Sequence, residues 1–296
     1  YAMPLSKVFG IKDDNLKFVF ATKLNASKYK KRPFLTSNMY DKIFVDQQNY
    51  TFGIGIARWD YYLARNAFYI DAAEFFPRGY SVSFWTGVQY DEVYRKRVLL
   101  DFTINYGIHF KKFGYLYPQL NFKGYVRNKK GEEMVTSLSL DYVSNRVALS
   151  KIVYFRQIIK LGTNLGAAVA EERYFNVNDD LRGFYSPNLK GSKSVSIKAE
   201  CDLFFDKSIL GTKATTYIFS DMAWLSKNHK NVFKESVYQY GVGFGLRLRN
   251  VNIGVPHVDL QLGFYPRGKD YGQSLFGVAI YGSNPNAIQQ KNMFVE

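Results

Sequence analysis

A chain of 296 residues with 24 Tyr and 25 Phe has room for one or two ordinary domains and is too aromatic to remain disordered. Its single cysteine, Cys201, excludes a disulfide framework and a cysteine-based metal site. Forty Lys and Arg against 25 Asp and Glu give a net charge of +15, which leaves two classes: a nucleic-acid binder that stacks bases on aromatics, or a transmembrane β-barrel with basic loops.

The chain opens Tyr-Ala-Met-Pro-Leu, with no basic region leading into an apolar core, so it reads as a mature or trimmed sequence. Residues 1–48 form an N-terminal segment with one candidate strand, Leu16–Leu24, in which Phe18 and Phe20 share a face. From Asn49 to Ser283 the dominant period is two. Twelve strand-like runs are centred near residues 55, 70, 84, 103, 121, 139, 161, 199, 217, 244, 261 and 278. Turn signals separate them, at Pro77-Arg78-Gly79, Asn128 to Gly131, Asn178-Asp179-Asp180 and Arg267 to Asp270.

The alternation is sharpest at Gln239–Arg249, where Tyr240, Val242, Phe244, Leu246 and Leu248 fall on one face. Gly241, Gly243, Gly245, Arg247 and Arg249 fall on the other. The same split places Lys198, Glu200, Asp202, Asp221, Asp259 and Gln261 opposite their apolar neighbours. Such runs suit tilted strands crossing a bilayer, with the charges paired or hydrated inside. The expected fold is all-β: a closed antiparallel transmembrane β-barrel of about 12 strands (12 to 16) over residues 49–283, followed by a tail at 284–296.

A soluble β-sandwich or solenoid is the competing architecture, and it would have to bury these charges in its core. The longest uncharged stretch, Tyr271–Gln290, contains Pro285 and several polar residues, so no transmembrane helix is expected. Because the aromatics alternate away from the charges, nucleic acid is not an expected partner. The basic surplus, as in Arg95-Lys96-Arg97 and Lys111-Lys112, reads as solvated loops or contacts to anionic lipid headgroups.

Trp59-Asp60-Tyr61-Tyr62, Phe75-Phe76, Tyr115 with Tyr117, and Trp224 read as interfacial girdles. The three histidines, His109, His229 and His257, have no Ser or carboxylate at catalytic spacing, so no catalytic residue, metal or cofactor is expected. The three glycines 241, 243 and 245 leave space at the wall for a loop or a ligand, which favours a filled lumen.

Leu181-Arg182-Gly183-Phe184-Tyr185, followed by Leu189-Lys190-Gly191 and the strand holding Glu200, resembles the BamA/TamA-like outer-membrane assembly superfamily, of the bacterial surface antigen type. The resemblance extends through Phe219-Ser220-Asp221, the Gly241 to Arg247 strand and Val258-Asp259-Leu260, covering roughly Arg156 to Tyr281. It implies that the Arg-Gly-Phe loop folds back into the barrel and that Arg182 pairs there with Glu200 and Asp221. Read from the residues alone, Arg182 is an exposed loop arginine before a glycine that permits a turn.

The resemblance also implies insertion or translocation of protein or lipid at the bacterial outer membrane, with outer-membrane lipid and a polypeptide or lipid client as partners. The alternative is a non-catalytic membrane module, either a passive pore or one barrel of a homo-oligomer. Three departures from the family stand out. Ala223 occupies a position that is often Gly, the length suits fewer than the usual sixteen strands, and 48 residues leave no room for periplasmic receiving domains. The last strand, ending at Tyr281, is followed by some fifteen residues, so either Tyr281 or Phe294 would be the functional end.

Overall fold

The computed structural model describes residues 2–4, 15–31, 45–65, 67–68, 72–92, 95–167, 175–176, 180–186, 189–226, 236–250, 252, 258–271 and 274–282. The strands are Ala2–Pro4 (β1), Leu16–Ser27 (β2), Gln47–Arg65 (β3), Ala73–Asp91 (β4), Arg95–Phe110 (β5), Gly114–Arg127 (β6), Lys130–Ser144 (β7) and Val147–Ala148 (β8). They continue with Val153–Ala167 (β9), Phe175–Asn176 (β10), Lys190–Gly191 (β11), Lys193–Phe205 (β12), Thr212–Ser226 (β13), Val237–Asn250 (β14), Val258–Phe264 (β15) and Phe276–Tyr281 (β16). The only helical turn among the described residues is a 3-10 turn at Gly268–Tyr271.

Thirteen strands form one antiparallel meander, β1 to β7 followed by β9 and β12 to β16, with β8 paired to β9 off the path. The order follows the sequence because each long strand pairs with the next through a local connection. β1 and β16 are the two edges, and no backbone pairing between them occurs among the described residues. The candidate strand at Leu16 extends to Ser27 and pairs along β3 from Leu16↔Arg58 to Ser27↔Gln47.

The run centred near residue 70 does not form a crossing. Residues 69–71 lie outside the described residues, and Arg65 pairs directly with Ala73, so β3 and β4 form one long hairpin of 19-residue strands. Nor does Pro77-Arg78-Gly79 reverse the chain: Tyr61↔Pro77 and Trp59↔Gly79 remain paired inside that hairpin. The Pro-Arg-Gly residues instead change which side chains face inward. Below Gly79 the buried positions on β4 are odd (Ser81, Ser83), and above it Phe76 is buried. Gly79, with φ +133°, tolerates this switch, because a Cβ there would lie 2.0 Å from the Arg58 carbonyl oxygen.

The sheet is inside-out relative to a soluble β-protein. Its exposed face carries the large apolar side chains, in rows that follow the register: Phe20↔Ile54↔Phe84↔Phe102↔Phe122 at one side and Ile218↔Phe244↔Leu262↔Val278 at the other. Ile218, Val278 and Ile280 are 64%, 75% and 70% exposed. The opposite face buries Ser81, Asn105, Arg156, Glu200, Asp202, Asp221, Arg247 and Asp259. Water as the outer solvent would reward the reverse arrangement, since apolar burial is the main driving force of folding.

Aromatic residues fill the buried face at the end where β3 and β4 join. Ala67, Phe68, Phe76, Tyr115, Tyr117, Val143 and Ile158 form one cluster, with Trp59, Tyr62 and Ala64 packed against it. Tyr115 and Tyr117, each 2% exposed, therefore face inward and do not form a girdle, and Phe76 differs from the exposed Phe75. The Tyr115 hydroxyl donates to the Pro77 carbonyl at 2.6 Å, which anchors the hairpin over the sheet. Phe68 lies 5.7 Å from the Arg156 guanidinium on β9. β4 and β9 are four places apart in the sheet order, so the β3–β4 connection carries Phe68 across the buried face to reach Arg156.

Candidate functional site

The site is built on β12 to β15, whose register brings charged side chains together on the buried face. Period two puts Glu200 and Asp202 on the same side of β12, and antiparallel pairing sets Arg247 of β14 opposite Asp259 of β15. The Arg247 guanidinium then reaches three carboxylates: Nη1 donates to Glu200 at 2.8 Å and to Asp202 at 3.1 Å, and Nε donates to Asp259 at 3.0 Å. Arg156 of β9 donates to Asp202 through Nε at 3.1 Å and through Nη2. The Tyr217 hydroxyl donates to Asp259 at 2.5 Å.

Arg182 joins this network from the connection between β9 and β12. Its Nε and Nη2 donate to the two oxygens of Asp221 at 2.8 and 2.6 Å, and Nη1 donates to Glu200. The Arg182 backbone N–H also donates to Asp221 at 3.1 Å. Bidentate geometry is what a planar guanidinium offers and a lysine does not. Burial opposes the charge on Arg182, but Asp221 and Glu200 outweigh it and move its pKa upward, so the cation is retained. Gly183 follows with φ +68°, a left-handed conformation that glycine adopts without strain.

Three layers repeat at the wall. A Cβ on Gly243 would lie 2.6 Å from the Phe219 ring, one on Gly245 2.1 Å from the Tyr217 ring, and one on Gly241 2.6 Å from the Tyr265 ring. Each ring therefore lies flat on a glycine, the arrangement that leaves no space at the wall for a ligand. On the other side of two rings lies a guanidinium, Arg182 over Phe219 at 4.3 Å and Arg247 over Tyr217 at 3.9 Å. The rings supply a polarizable surface in a region from which water is excluded.

Tyr265 covers Gly241, Gly263 and Gly277 on three neighbouring strands and donates its hydroxyl to the Arg182 carbonyl. Burial, with smaller contributions from Asp221 and Tyr281, pushes its phenol up to about 12, so it remains a donor at neutral pH. Phe184 packs 5.5 Å from Tyr265, within a cluster of Leu181, Leu189, Ala223 and Leu225. Ala223 is fully buried in the same cluster as Leu181 and Leu189.

The structure thus places Arg182, Glu200, Asp221, Arg247, Asp259, Phe219 and the three glycines in one contiguous site. Lys198 and Arg249 lie on the same face but are only half-buried. Sequence reasoning did not single out Arg156, Tyr217 or Tyr265. Arg156 shares the inward parity of Ile158 and Lys160 on β9, so its strand pattern carried the signal; Tyr265, beyond the end of β15, had none. His229 and His257 lie outside the described residues, as do Asn178, Asp179 and the tail from residue 283. His109 stacks on Tyr62 at 3.7 Å.

All four carboxylates of the cluster accept hydrogen bonds from arginines, an arrangement that holds charge in place. Among the described residues no three His, Cys, Asp or Glu side chains are grouped to hold a metal. Gly245→Ala is expected to destabilise the fold by about 1–3 kcal/mol, because its methyl must displace the Tyr217 ring and with it Arg247. The midpoint of urea unfolding in detergent micelles would register the loss. No protein-family model matches the chain, and no curated protein matches it significantly.

Proposed function

We propose that the sheet closes as an outer-membrane β-barrel of BamA/TamA-like type, with an occupied lumen, and works in inserting or translocating polypeptide or lipid. The carrying observation is Arg182, seated in a buried network of three arginines and four carboxylates, because a loop tied this firmly blocks the interior. The aromatic cluster around Phe68 fills the opposite end. A lipid solvent accounts for the apolar exposed face, and the edges β1 and β16, which do not pair with each other among the described residues, would supply the seam through which such a barrel passes a client laterally.

Outer-membrane lipid is then the obligatory partner. On this reading the connections at 111–113, 145–152 and 206–211 would face the periplasm, and the ends of β2 and β9 would face the outside. One observation favours a passive pore: Asp101, Asp141 and Lys160, on β5 to β9, keep 18–19% side-chain exposure and would line water.

Planar-bilayer recording separates the two readings. The intact protein is expected to show no steady conductance, and Arg182→Ala to show intermittent openings as the loop is released. A large, constant conductance from the intact protein would contradict the occupied lumen.

A further inference from the structure

Three consecutive turns at one end of the sheet expose apolar side chains at their tips. The β5–β6 turn presents Phe113, 68% exposed, the β7–β9 connection Leu149 at 60%, and the β12–β13 turn Ile209 at 78% and Leu210 at 91%. Exposed residues of this size are ordinary when scattered, but these occupy equivalent places on adjacent hairpins. They are held there by defined structure. The Phe113 carbonyl accepts from the Tyr142 hydroxyl at 2.7 Å, the Ser150 hydroxyl accepts from the Val153 N–H at 3.1 Å, and Ile209 and Thr212 exchange backbone hydrogen bonds at 2.9 and 2.8 Å. Leu210 is fixed in a left-handed conformation, φ 51°, that a side chain of its kind rarely adopts.

Every one of these tips has an exposed lysine beside it. Lys111 and Lys112 precede Phe113, Lys151 follows Leu149 by two residues, and Lys207 precedes Ile209 by two. The sole acid in the three turns is Asp206, which lies 3.6 Å from Lys213. Two hairpins at the other end of the sheet differ, although Tyr185 in the β9–β12 connection there is 63% exposed. Their described residues, between β4 and β5 and between β6 and β7, are Glu92, Asn128 and Lys129, with no large apolar tip.

Apolar tips that continue an apolar outer face, each flanked by a long flexible cation, match a layer whose surface is anionic and whose interior is hydrocarbon. An acidic protein partner would match the charge but not the continuity with the lipid-facing wall. Resting on the membrane-barrel reading above, we infer that these three turns form a collar that seats in the headgroup layer of one leaflet and selects anionic glycerophospholipid. The tips enter the acyl boundary, and Lys111, Lys112, Lys151 and Lys207 take the phosphates.

The test uses the full chain refolded into phosphatidylcholine vesicles containing a trace of spin-labelled phosphatidylglycerol or spin-labelled phosphatidylcholine. Electron paramagnetic resonance then measures the motionally restricted fraction of each label. The expected result is a preference for phosphatidylglycerol of roughly two- to fivefold at low ionic strength, lost at high salt. A variant carrying Lys111→Gln, Lys112→Gln, Lys151→Gln and Lys207→Gln should insert equally well and show a preference near one. Equal association of both lipids with the native chain would overturn the collar alone, as would a preference that survives in the glutamine variant. If the variant fails to insert, Lys→Gln changes made singly replace it, each expected to lower the preference in part. Failure of the native chain to insert would overturn the membrane-barrel reading and the collar with it.

Discussion

Replacing Arg182 by alanine is expected to lower stability by about 3–5 kcal/mol, the cost of leaving buried carboxylates without their counter-charge. Asp221 loses two side-chain hydrogen bonds and Glu200 loses one, while both remain almost fully buried. The loss spreads into the loop, because Tyr265 donates to the Arg182 carbonyl and Phe184 packs on Tyr265. Migration of unheated protein on gels, together with urea unfolding in micelles, would measure it. Arg182→Lys should recover only part of the loss, since one ammonium cannot span both carboxylates with bidentate geometry. Alanine and wild type unfolding at the same urea concentration would mean that the loop is not held by this pairing.

Arg247→Met is expected to cost as much or more. Methionine fills most of the arginine volume, so the change isolates charge and hydrogen bonding from packing. Glu200, Asp202 and Asp259 lose the cation between them, leaving Arg182 and Arg156 as the remaining guanidinium partners of that group. Like charges then face each other at short range in a region with little water to screen them. A drop of about 3–5 kcal/mol, or loss of the folded band, is the predicted outcome. Combining the variant with Asp259→Asn should restore part of the stability, because one of the uncompensated charges is removed. Absence of any recovery would indicate that Arg247 matters for its stack on Tyr217 and not for its charge.

The period-two pattern makes the inward charges legible in the sequence. Gln239 to Arg249 and the strands β12 and β15 separate polar from apolar residues so cleanly that Glu200, Asp202, Arg247 and Asp259 fall on the inward faces of their strands. Asp221 follows from the same parity; Arg182 alone needed the resemblance, because parity says nothing about where a loop travels. What the sequence hid depends on tertiary geometry. Pro77-Arg78-Gly79 has turn chemistry, yet the cross-strand pairing of β3 with β4 overrides it and uses the glycine for a change of face. Tyr115 and Tyr117 look like interfacial aromatics until the hairpin carrying Phe68 and Phe76 folds over them.

The flat rings of Tyr217, Phe219 and Tyr265 were unreadable for a related reason. Which aromatic lies on which glycine is fixed by register across two or three strands, and a sequence does not state register. The glycines suggested space for a loop or a ligand, but rings take that space, and the loop's arginine lies one layer further in.

In the proposed barrel the apolar face of the sheet meets lipid and the polar face is internal. A spin-label scan along β7, from Thr136 to Tyr142 in a Cys201→Ser background, tests it most directly after refolding into vesicles. Accessibility to oxygen should alternate, with maxima at Thr136, Leu138, Leu140 and Tyr142 and minima at Ser137, Ser139 and Asp141. A flat profile, or maxima on the serine positions, would contradict the account.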